Sequence, residues 1–196
     1  MSKRTFMIVG GGIAGITAAI ALQQSGEDVK VYERFPEVRM AGAGITIAPN
    51  ALKALEQLGL AKIIIDNGQV SRGGMAILNE KGAVLSELRE LHYEYPMISI
   101  HRADLHRILL GALHPETVEM GKELQNVRYE QNKIVLSFMG QTTASGDFLI
   151  AADGIHSPVR KQLFDDAPLR YAGYTCWRGI ADRWNSQQQP NRFTET

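Results

Sequence analysis

The sequence predicts an α/β fold built on a parallel sheet, and three observations support that prediction. Residues 6–9 form a short apolar stretch typical of a buried strand, and residues 29–32 form a second one. Between them lie a glycine-rich turn and an alanine-rich stretch that ends near Ser25. A strand, a helix and a second strand in this order predict a parallel pair joined by a right-handed crossover.

The glycine-rich turn has the spacing Gly-x-Gly-x-x-Gly at Gly10, Gly12 and Gly15. Gly10 lets the chain turn off the strand, Gly12 lets a pyrophosphate approach the backbone, and Gly15 lets the helix pack close to the strand. The first helical residues, Ile13 and Ala14, offer N–H groups at the positive end of the helix dipole. This turn is therefore suited to a phosphate group.

An acidic residue completes the pattern. Glu33 ends the second strand, 18 positions past Gly15 (33 − 15), where a carboxylate accepts hydrogen bonds from a ribose diol. Two other interpretations exist: a secretory signal, because Lys3 and Arg4 precede apolar residues, and a glycine turn without a ligand. Three consecutive glycines interrupt the apolar segment, and neither alternative accounts for Glu33. The sequence therefore predicts a dinucleotide site.

Composition excludes several classes of protein. With 196 residues the chain can hold one core, or one domain and part of another. Its 21 basic and 21 acidic residues argue against a nucleic-acid partner. Cys176 is the only cysteine, which suits a reducing cytoplasm, and no apolar run reaches the roughly 18 residues of a membrane span. His101, His106 and His114 are too scattered for a metal site, and we expect His106 to be a surface or packing residue.

The middle of the chain mixes short helices with strands. Gly42 and Gly44 precede a short β-like run, and their spacing fits a close approach to a ligand and a flexible loop equally well. Helices are predicted over residues 51–58 and 61–66. Residues 70–79 and 83–88 predict a hairpin that leaves the nucleotide fold, and residues 97–100 predict a strand that returns to it.

Arg102 opens the next predicted helix. A cation there is unfavourable against the helix dipole unless an anion shares the site, which points to a phosphate. An ion pair with Asp104 or Glu116 explains the same position, and the residues alone leave both explanations open.

Residues 117–150 predict three or four short strands, and residues 148–152 a buried one. Asp153 follows that strand, with Ser157 as a predicted helix N-cap and Pro158 at the first helical position. Ligands bind outside the carboxyl ends of parallel strands, so we expect Asp153 on the same edge as the glycine-rich turn. The alternative is a capping or turn aspartate. Residues 169–181 predict a strand of a second sheet.

Four motifs together resemble the class A flavoprotein monooxygenases, the family of salicylate hydroxylase and para-hydroxybenzoate hydroxylase. They are Gly10 to Gly15 with Glu33-Arg34, Gly42 to Ile45 with Pro49-Asn50-Ala51-Leu52, Arg102 with Leu105, and the Asp-Gly motif of residues 153–160. The resemblance implies a Rossmann-like FAD-binding domain of the glutathione-reductase type with part of a β-rich substrate domain. It assigns residues 1–68 and 97–168 to the FAD-binding domain, and residues 69–96 and 169–196 to a partial substrate-domain sheet.

The resemblance also implies a cofactor and its ligands. FAD would lie with its pyrophosphate on Gly10 to Gly15 and its ribose on Glu33, with Arg34 nearby. NADPH or NADH would reduce the flavin, and O₂ would supply the oxygen transferred to a small aromatic substrate. The remaining implied contacts are the FAD linkage at Arg102, adenine at the backbone of Leu124, the flavin at Arg39 and Gly44, and both nucleotides at Asp153 and Arg160.

One departure limits what the resemblance implies. Family members are roughly twice this length, more than one core of this size, and carry a later Gly-Asp motif beside the flavin. Here Gly146-Asp147 leads into Phe148 and a strand. We therefore expect a truncated, poorly active N-terminal portion with no assignable catalytic residue. An open sheet edge would favour a second copy or a complementing chain. Two alternatives are a non-catalytic nucleotide-binding or interaction module and a simple NAD dehydrogenase, which leaves residues 153–160 unexplained.

Overall fold

The computed structural model describes residues 3–37, 43–71, 75–88, 94–164, 167–176 and 193–195. Its helices are α1 (Ile13–Gln24), α2 (Pro49–Gln57), α3 (Ala61–Asn67), α4 (Arg102–Gly111) and α5 (Pro158–Leu163). Its strands are β1 (Thr5–Val9), β2 (Asp28–Glu33), β3 (Gly44–Ile47), β4 (Gln69–Ser71), β5 (Met75–Leu78), β6 (Val84–Leu88), β7 (Met97–His101), β8 (Val118–Met120), β9 (Leu124–Glu130), β10 (Lys133–Phe138), β11 (Thr143–Gly146), β12 (Phe148–Ala151) and β13 (Phe193–Glu195).

The chain divides into two compact units. The first lies within Met1–Met40 and His106–Cys176, and the second within Ala41–Leu105 and Trp177–Thr196. These limits differ from the domain boundaries that the resemblance implies, and those boundaries stay a prediction.

The first unit is built on a parallel sheet with the strand order β12-β1-β2-β8. β1 pairs in parallel with β2, as the sequence predicts, and also with β12. Val9 lies opposite Tyr32 on one side and Ala151 on the other. The central strands therefore end together, and the segments that follow them meet at one edge of the sheet.

The two faces of this sheet are covered by different elements. Ile8 and Val31 are fully buried in the cluster that includes Ala19 of α1. Met7, next along β1, points to the opposite face and packs with Leu136 and Phe138 of β10. That second layer is the antiparallel sheet β11-β10-β9. Each large buried aliphatic side chain contributes about 1.5–3 kcal/mol. A parallel sheet between a helix and an antiparallel sheet confirms the predicted Rossmann-like class.

The second unit contains two small sheets. One has the order β3-β7-β4 and is antiparallel, and the other has the order β13-β5-β6. Ile98 and Ile100 of β7 are buried. The predicted hairpin is present as β5 and β6, and Gly82 occupies its turn with φ +81°, a backbone conformation that favours glycine.

Two expectations about strands were wrong, and a third is confirmed only as a strand. Strand β7 is present and pairs with β3 and β4, while its return to the nucleotide fold stays a prediction. Its alternating isoleucines require one buried face but do not specify which partner supplies it. The single strand predicted over residues 70–79 is two strands, β4 and β5, separated by residues outside the described part. Residues 169–176 form no strand; they are exposed and pair with no described strand, and the rest of that predicted strand lies outside the described residues.

Candidate dinucleotide site

The glycine-rich turn leaves the end of β1 in a conformation that only glycine fits. Gly10 has φ +108°, and a Cβ atom there would lie 2.3 Å from the carbonyl oxygen of Ala152. A Cβ atom on Gly15 would lie 2.0 Å from the carbonyl oxygen of Gly10. The predicted backbone roles of Gly10 and Gly15, a tight turn and close helix packing, are confirmed.

Gly12 lies in different surroundings. A Cβ atom added to it would meet no described residue within 4 Å, so the described part of the chain leaves the space beside this backbone open. Gly12 is the N-cap of α1, and its carbonyl oxygen accepts the N–H of Ile16 at 3.0 Å. The next N–H groups, at Ile13 and Ala14, have no acceptor within the helix. The first turn of α1 contains no acidic residue of its own that would oppose an anion at this helix terminus.

Glu33 is fixed at the end of β2 by two backbone groups. Its Oε2 accepts the N–H of Gly11 at 2.7 Å, and its Oε1 accepts the N–H of Phe35 at 3.0 Å. A carboxylate has about four acceptor positions, so both oxygens can still accept ribose hydroxyls. A Cβ atom on Gly11 would lie 3.0 Å from Cβ of Glu33. The sequence analysis assigned no role to Gly11, the residue that Glu33 contacts.

The chain after β8 is attached to the chain after β2. Gly121 N–H donates to the carbonyl of Phe35 at 2.9 Å, and Lys122 N–H donates to that of Glu33 at 2.8 Å. Leu124, at the start of β9, is 8% exposed and belongs to the buried cluster with Tyr32. Its backbone role toward adenine stays a prediction.

Arg34 and the Phe35 ring form the exposed side of this region. The guanidinium of Arg34 lies 4.6 Å from the centroid of the ring, a cation–π distance. The side chain of Arg34 is exposed, and its predicted contact with the ribose stays a prediction.

Asp153 lies on the same edge as the glycine-rich turn, as predicted. The backbone N–H of Ala152 donates to Val9 at 2.8 Å, which places the chain after β12 beside Gly10. Asp153 Oδ2 accepts the N–H of Val159 at 3.1 Å. Asp153 therefore caps the start of α5, which is the alternative explanation given above. Its contact with nucleotides stays a prediction.

Helix α5 begins as the sequence predicts. Ser157 Oγ accepts the N–H of Arg160 at 2.9 Å, and Pro158 occupies the first turn. The Arg160 guanidinium donates through Nη2 to the carbonyl of Ile155 at 3.0 Å. Its Nε is buried and has no hydrogen-bond partner among the residues that the structure describes. One donor of Arg160 thus stays available for an anionic group.

His106 contributes a contact that the sequence analysis did not anticipate. Its Nε2 lies 2.7 Å from the carbonyl oxygen of Gly11. We expected a surface or packing residue, and this contact was not predicted. No local pattern could have signalled it, because His106 and Gly11 are 95 positions apart.

Of the three remaining predicted ligands, two belong to the second unit and one is outside the described residues. Arg102 is the first residue of α4 in the second unit, exposed, with its N–H donating to the carbonyl of Ala43 at 3.2 Å. Gly44 begins β3 opposite His101, and a Cβ atom there would meet only the carbonyl oxygen of Ile100, at 3.8 Å. Arg39 lies outside the described residues. The parts of all three in cofactor binding stay predictions.

The described residues contain neither a candidate metal site nor a helix suited to a membrane. No group of three or more His, Cys, Asp or Glu side chains in that part of the chain could hold a metal ion. No helix there is both long and apolar enough to cross a membrane.

Comparison with known protein families identifies the domain. Residues 3–169 match the family described as FAD binding domain. The chain belongs to this family. The open backbone at Gly12, the N-terminus of α1, Glu33 and the buried unpartnered Nε of Arg160 fit FAD, whose diphosphate needs N–H donors and whose ribose needs a carboxylate.

The relatives of this FAD-binding domain include flavin monooxygenases. It is 39% identical over 178 residues to a 3-amino-4-hydroxybenzoate 2-monooxygenase of Streptomyces cremeus, covering 88% of this chain and 45% of that protein. It is 35% identical over 182 residues to an aurachin C monooxygenase/isomerase of Stigmatella aurantiaca, covering 91% of this chain and 47% of that protein. The chain spans about half the length of the curated relatives it matches.

A solved structure gives the same result. Klebsiella pneumoniae HpxO, complexed with FAD and uric acid, superimposes with a TM-score of 0.68 at 29% identity. The match covers 80% of this chain and 41% of HpxO. The FAD-binding fold and its cofactor class, as predicted, are confirmed.

Proposed function

We propose that this FAD-binding domain is the cofactor-binding portion of an NAD(P)H-dependent monooxygenase that hydroxylates a small aromatic molecule. The observation that carries the proposal is the meeting of the glycine-rich turn, Glu33 and Asp153 at the carboxyl edge of one parallel sheet. Relatives named as a 3-amino-4-hydroxybenzoate 2-monooxygenase and an FAD-dependent urate hydroxylase support the choice of reaction and substrate class.

The chain's own residues would bind the ADP half of FAD. The N–H groups of Gly12, Ile13 and Ala14 would donate to the diphosphate, because the backbone beside Gly12 is open. Gly10 and Gly15 set the shape of that backbone. Glu33 would accept the ribose hydroxyls, with Arg34 beside it.

The remaining assignments rest on the family resemblance. The backbone of Leu124 would contact adenine, Arg102 the FAD linkage, and Arg39 and Gly44 the flavin. Asp153 and Arg160 would serve FAD and the diphosphate of NADPH or NADH, and the unpartnered Nε of Arg160 supports that role. When bound, FAD supplies the redox chemistry of oxygen transfer, while the protein supplies position and electrostatics.

We further propose that the chain alone is a poor catalyst. It spans about half the length of its relatives, so part of the flavin and substrate site lies in the half that it does not match. A complementing chain that carries that half would supply it, and an open sheet edge would let this chain pair with such a partner or with a second copy of itself. We place the protein in the cytoplasm, supported by its single cysteine, Cys176, which is free and exposed.

A flavin-binding experiment tests the proposal. The purified chain, titrated with FAD, should quench flavin fluorescence and acquire a bound-flavin absorbance spectrum. Glu33→Ala and Arg102→Ala should each weaken this binding. Absence of bound flavin with FAD in excess would overturn the cofactor assignment, and unchanged affinity in both variants would overturn the residue assignments. NADH oxidation stimulated by an aromatic effector in the chain alone would overturn the expectation of poor catalysis.

A second candidate function is a non-catalytic nucleotide-binding or interaction module. The observation that favours it is a set of exposed apolar side chains in the first unit, with Phe164 82% and Tyr174 77% exposed. Contiguous exposed apolar patches mark interaction sites, and we propose that these side chains belong to one. FAD binding that neither accelerates NADH oxidation nor supports it when a relative's second half is added would favour this module.

A further inference from the structure

We propose that His106 is a positioning residue for the phosphate-binding turn, acting through the carbonyl oxygen of Gly11. The inference rests on the FAD binding proposed above and adds one residue to it. The observation is the 2.7 Å separation between His106 Nε2 and the carbonyl oxygen of Gly11.

The chemistry of the two atoms fixes the direction of the bond. A carbonyl oxygen only accepts hydrogen bonds, so Nε2 of His106 carries the hydrogen and donates it. The other ring nitrogen, Nδ1, is buried and has no partner within the part of the chain that the structure describes. The contact with Gly11 is thus the one hydrogen bond that orients this ring among the described residues.

The bond fixes the next peptide N–H as well. The Gly11 carbonyl and the Gly12 N–H belong to one planar trans peptide and point in opposite directions. By holding the carbonyl, His106 sets the orientation of the Gly12 N–H, which belongs to a residue whose added Cβ atom would meet no described residue within 4 Å. That N–H is one of the donors assigned to the diphosphate.

Gly11 is thereby held at both of its polar groups. Glu33, 22 positions away, accepts its N–H, and His106, 95 positions away, donates to its carbonyl. Glycine loses more conformational freedom on folding than any other residue. Two side chains from distant elements restrict Gly11 before any ligand arrives, which reduces the ordering cost of binding.

The first test needs no cofactor. In the flavin-free 196-residue chain labelled with ¹⁵N in its imidazoles, NMR should show the hydrogen of His106 on Nε2. A ring protonated on Nδ1 with a bare Nε2 would overturn the proposal. Since this measurement is independent of flavin, it separates the proposal from the FAD assignment: a chain that binds no FAD would refute only the latter.

The second test compares two substitutions. His106→Leu removes the donor and keeps the bulk, whereas His106→Gln places an amide N–H near the position of Nε2. We expect FAD affinity to fall about three- to tenfold in the leucine variant, the range for one lost hydrogen bond. The glutamine variant should recover most of this loss. The Gly12 amide resonance should move in the leucine variant and return toward its original position in the glutamine variant.

His114→Leu is the matched control. It removes an exposed histidine from the same unit, one whose backbone N–H, and not its ring, bonds Gln23. This control should leave FAD affinity and the Gly12 resonance unchanged. Unchanged affinity in His106→Leu, or equal losses in His106→Leu and His106→Gln, would overturn the proposal. Unfolding midpoints of all variants identify a leucine variant that fails to fold, and the tautomer measurement on the unsubstituted chain then decides the question.

Discussion

Alanine at Gly15 tests the closest packing in the site. The new Cβ would lie 2.0 Å from the carbonyl oxygen of Gly10, whereas carbon and carbonyl oxygen atoms in contact lie about 3.3–3.6 Å apart. Helix α1 would have to move away from β1 by more than one ångström. Overpacking of a rigid backbone costs about 3 kcal/mol. We expect the thermal midpoint of Gly15→Ala to fall by roughly 6–12 °C, measured by far-UV circular dichroism.

Gly12→Ala is the matched control, with the same substitution three residues earlier. Gly12 has φ −76° and open space where its Cβ would go, so alanine fits the folded backbone. Alanine is a poorer N-cap than glycine but restricts the unfolded chain, and these effects oppose each other within about 1 kcal/mol. Stability should therefore stay close to that of the unsubstituted chain. FAD affinity should fall more than about tenfold, because the methyl group occupies the space where the diphosphate approaches.

Two results would refute this reasoning. A Gly15→Ala chain with an unchanged midpoint would mean that α1 does not pack against Gly10 as closely as described. A Gly12→Ala chain that loses as much stability as Gly15→Ala would mean that the space beside Gly12 is filled. The structure requires that Gly15→Ala lowers stability, whereas Gly12→Ala lowers FAD affinity and leaves stability nearly unchanged.

Three further predictions concern stability. Ser157→Ala removes the N-cap of α5 and should lower the free energy of unfolding, measured by urea denaturation, by about 1 kcal/mol. An unchanged free energy of unfolding would contradict the cap. The Lys133 side chain and the Thr5 N–H lower the pKa of Asp147. The resulting stabilisation is present above the ordinary carboxyl pKa and is lost as pH falls through the lowered pKa. The difference in thermal midpoint between Asp147→Asn and the unsubstituted chain should therefore shrink as the pH is lowered. A difference that stays constant with pH would refute this prediction. Burial raises the pKa of Tyr32 to about 12, so its contribution to stability is intact below about pH 10 and lost between about pH 10 and 12. Tyr32→Phe should reduce the loss of stability over this pH range. Equal losses of stability in the variant and the unsubstituted chain would count against this prediction.

The sequence predicted what depends on local pattern. The turn from Gly10 to Gly15, the helix after it and the cap at Ser157 are each defined by residues a few positions apart, and the structure contains them. The parallel sheet followed from the order strand, helix, strand. The family resemblance added the cofactor, which spacing alone left open between several dinucleotides.

What the sequence could not predict depends on contacts between distant residues. His106 and Gly11 are 95 positions apart, and no periodicity links them. The pairing of β7 with β3 and β4 was missed for the same reason, because alternation defines a buried face but not its partner. Residues 169–176 have apolar spacing without a neighbouring strand, so pattern alone predicted a strand that the structure does not have.

The rigidity of this site comes from elements outside the glycine-rich turn. Consecutive glycines are the most flexible backbone available, yet a phosphate site needs N–H groups that are already oriented. Ala152, which directly follows the neighbouring strand β12, confines Gly10, and Glu33 bonds Gly11 from the end of β2. The carbonyl of Gly10 in turn leaves no room for a side chain at Gly15. Of these four glycines, only Gly12 would carry a Cβ atom with no described residue within 4 Å, so the contacts that fix the flexible turn leave its backbone at Gly12 open to a diphosphate.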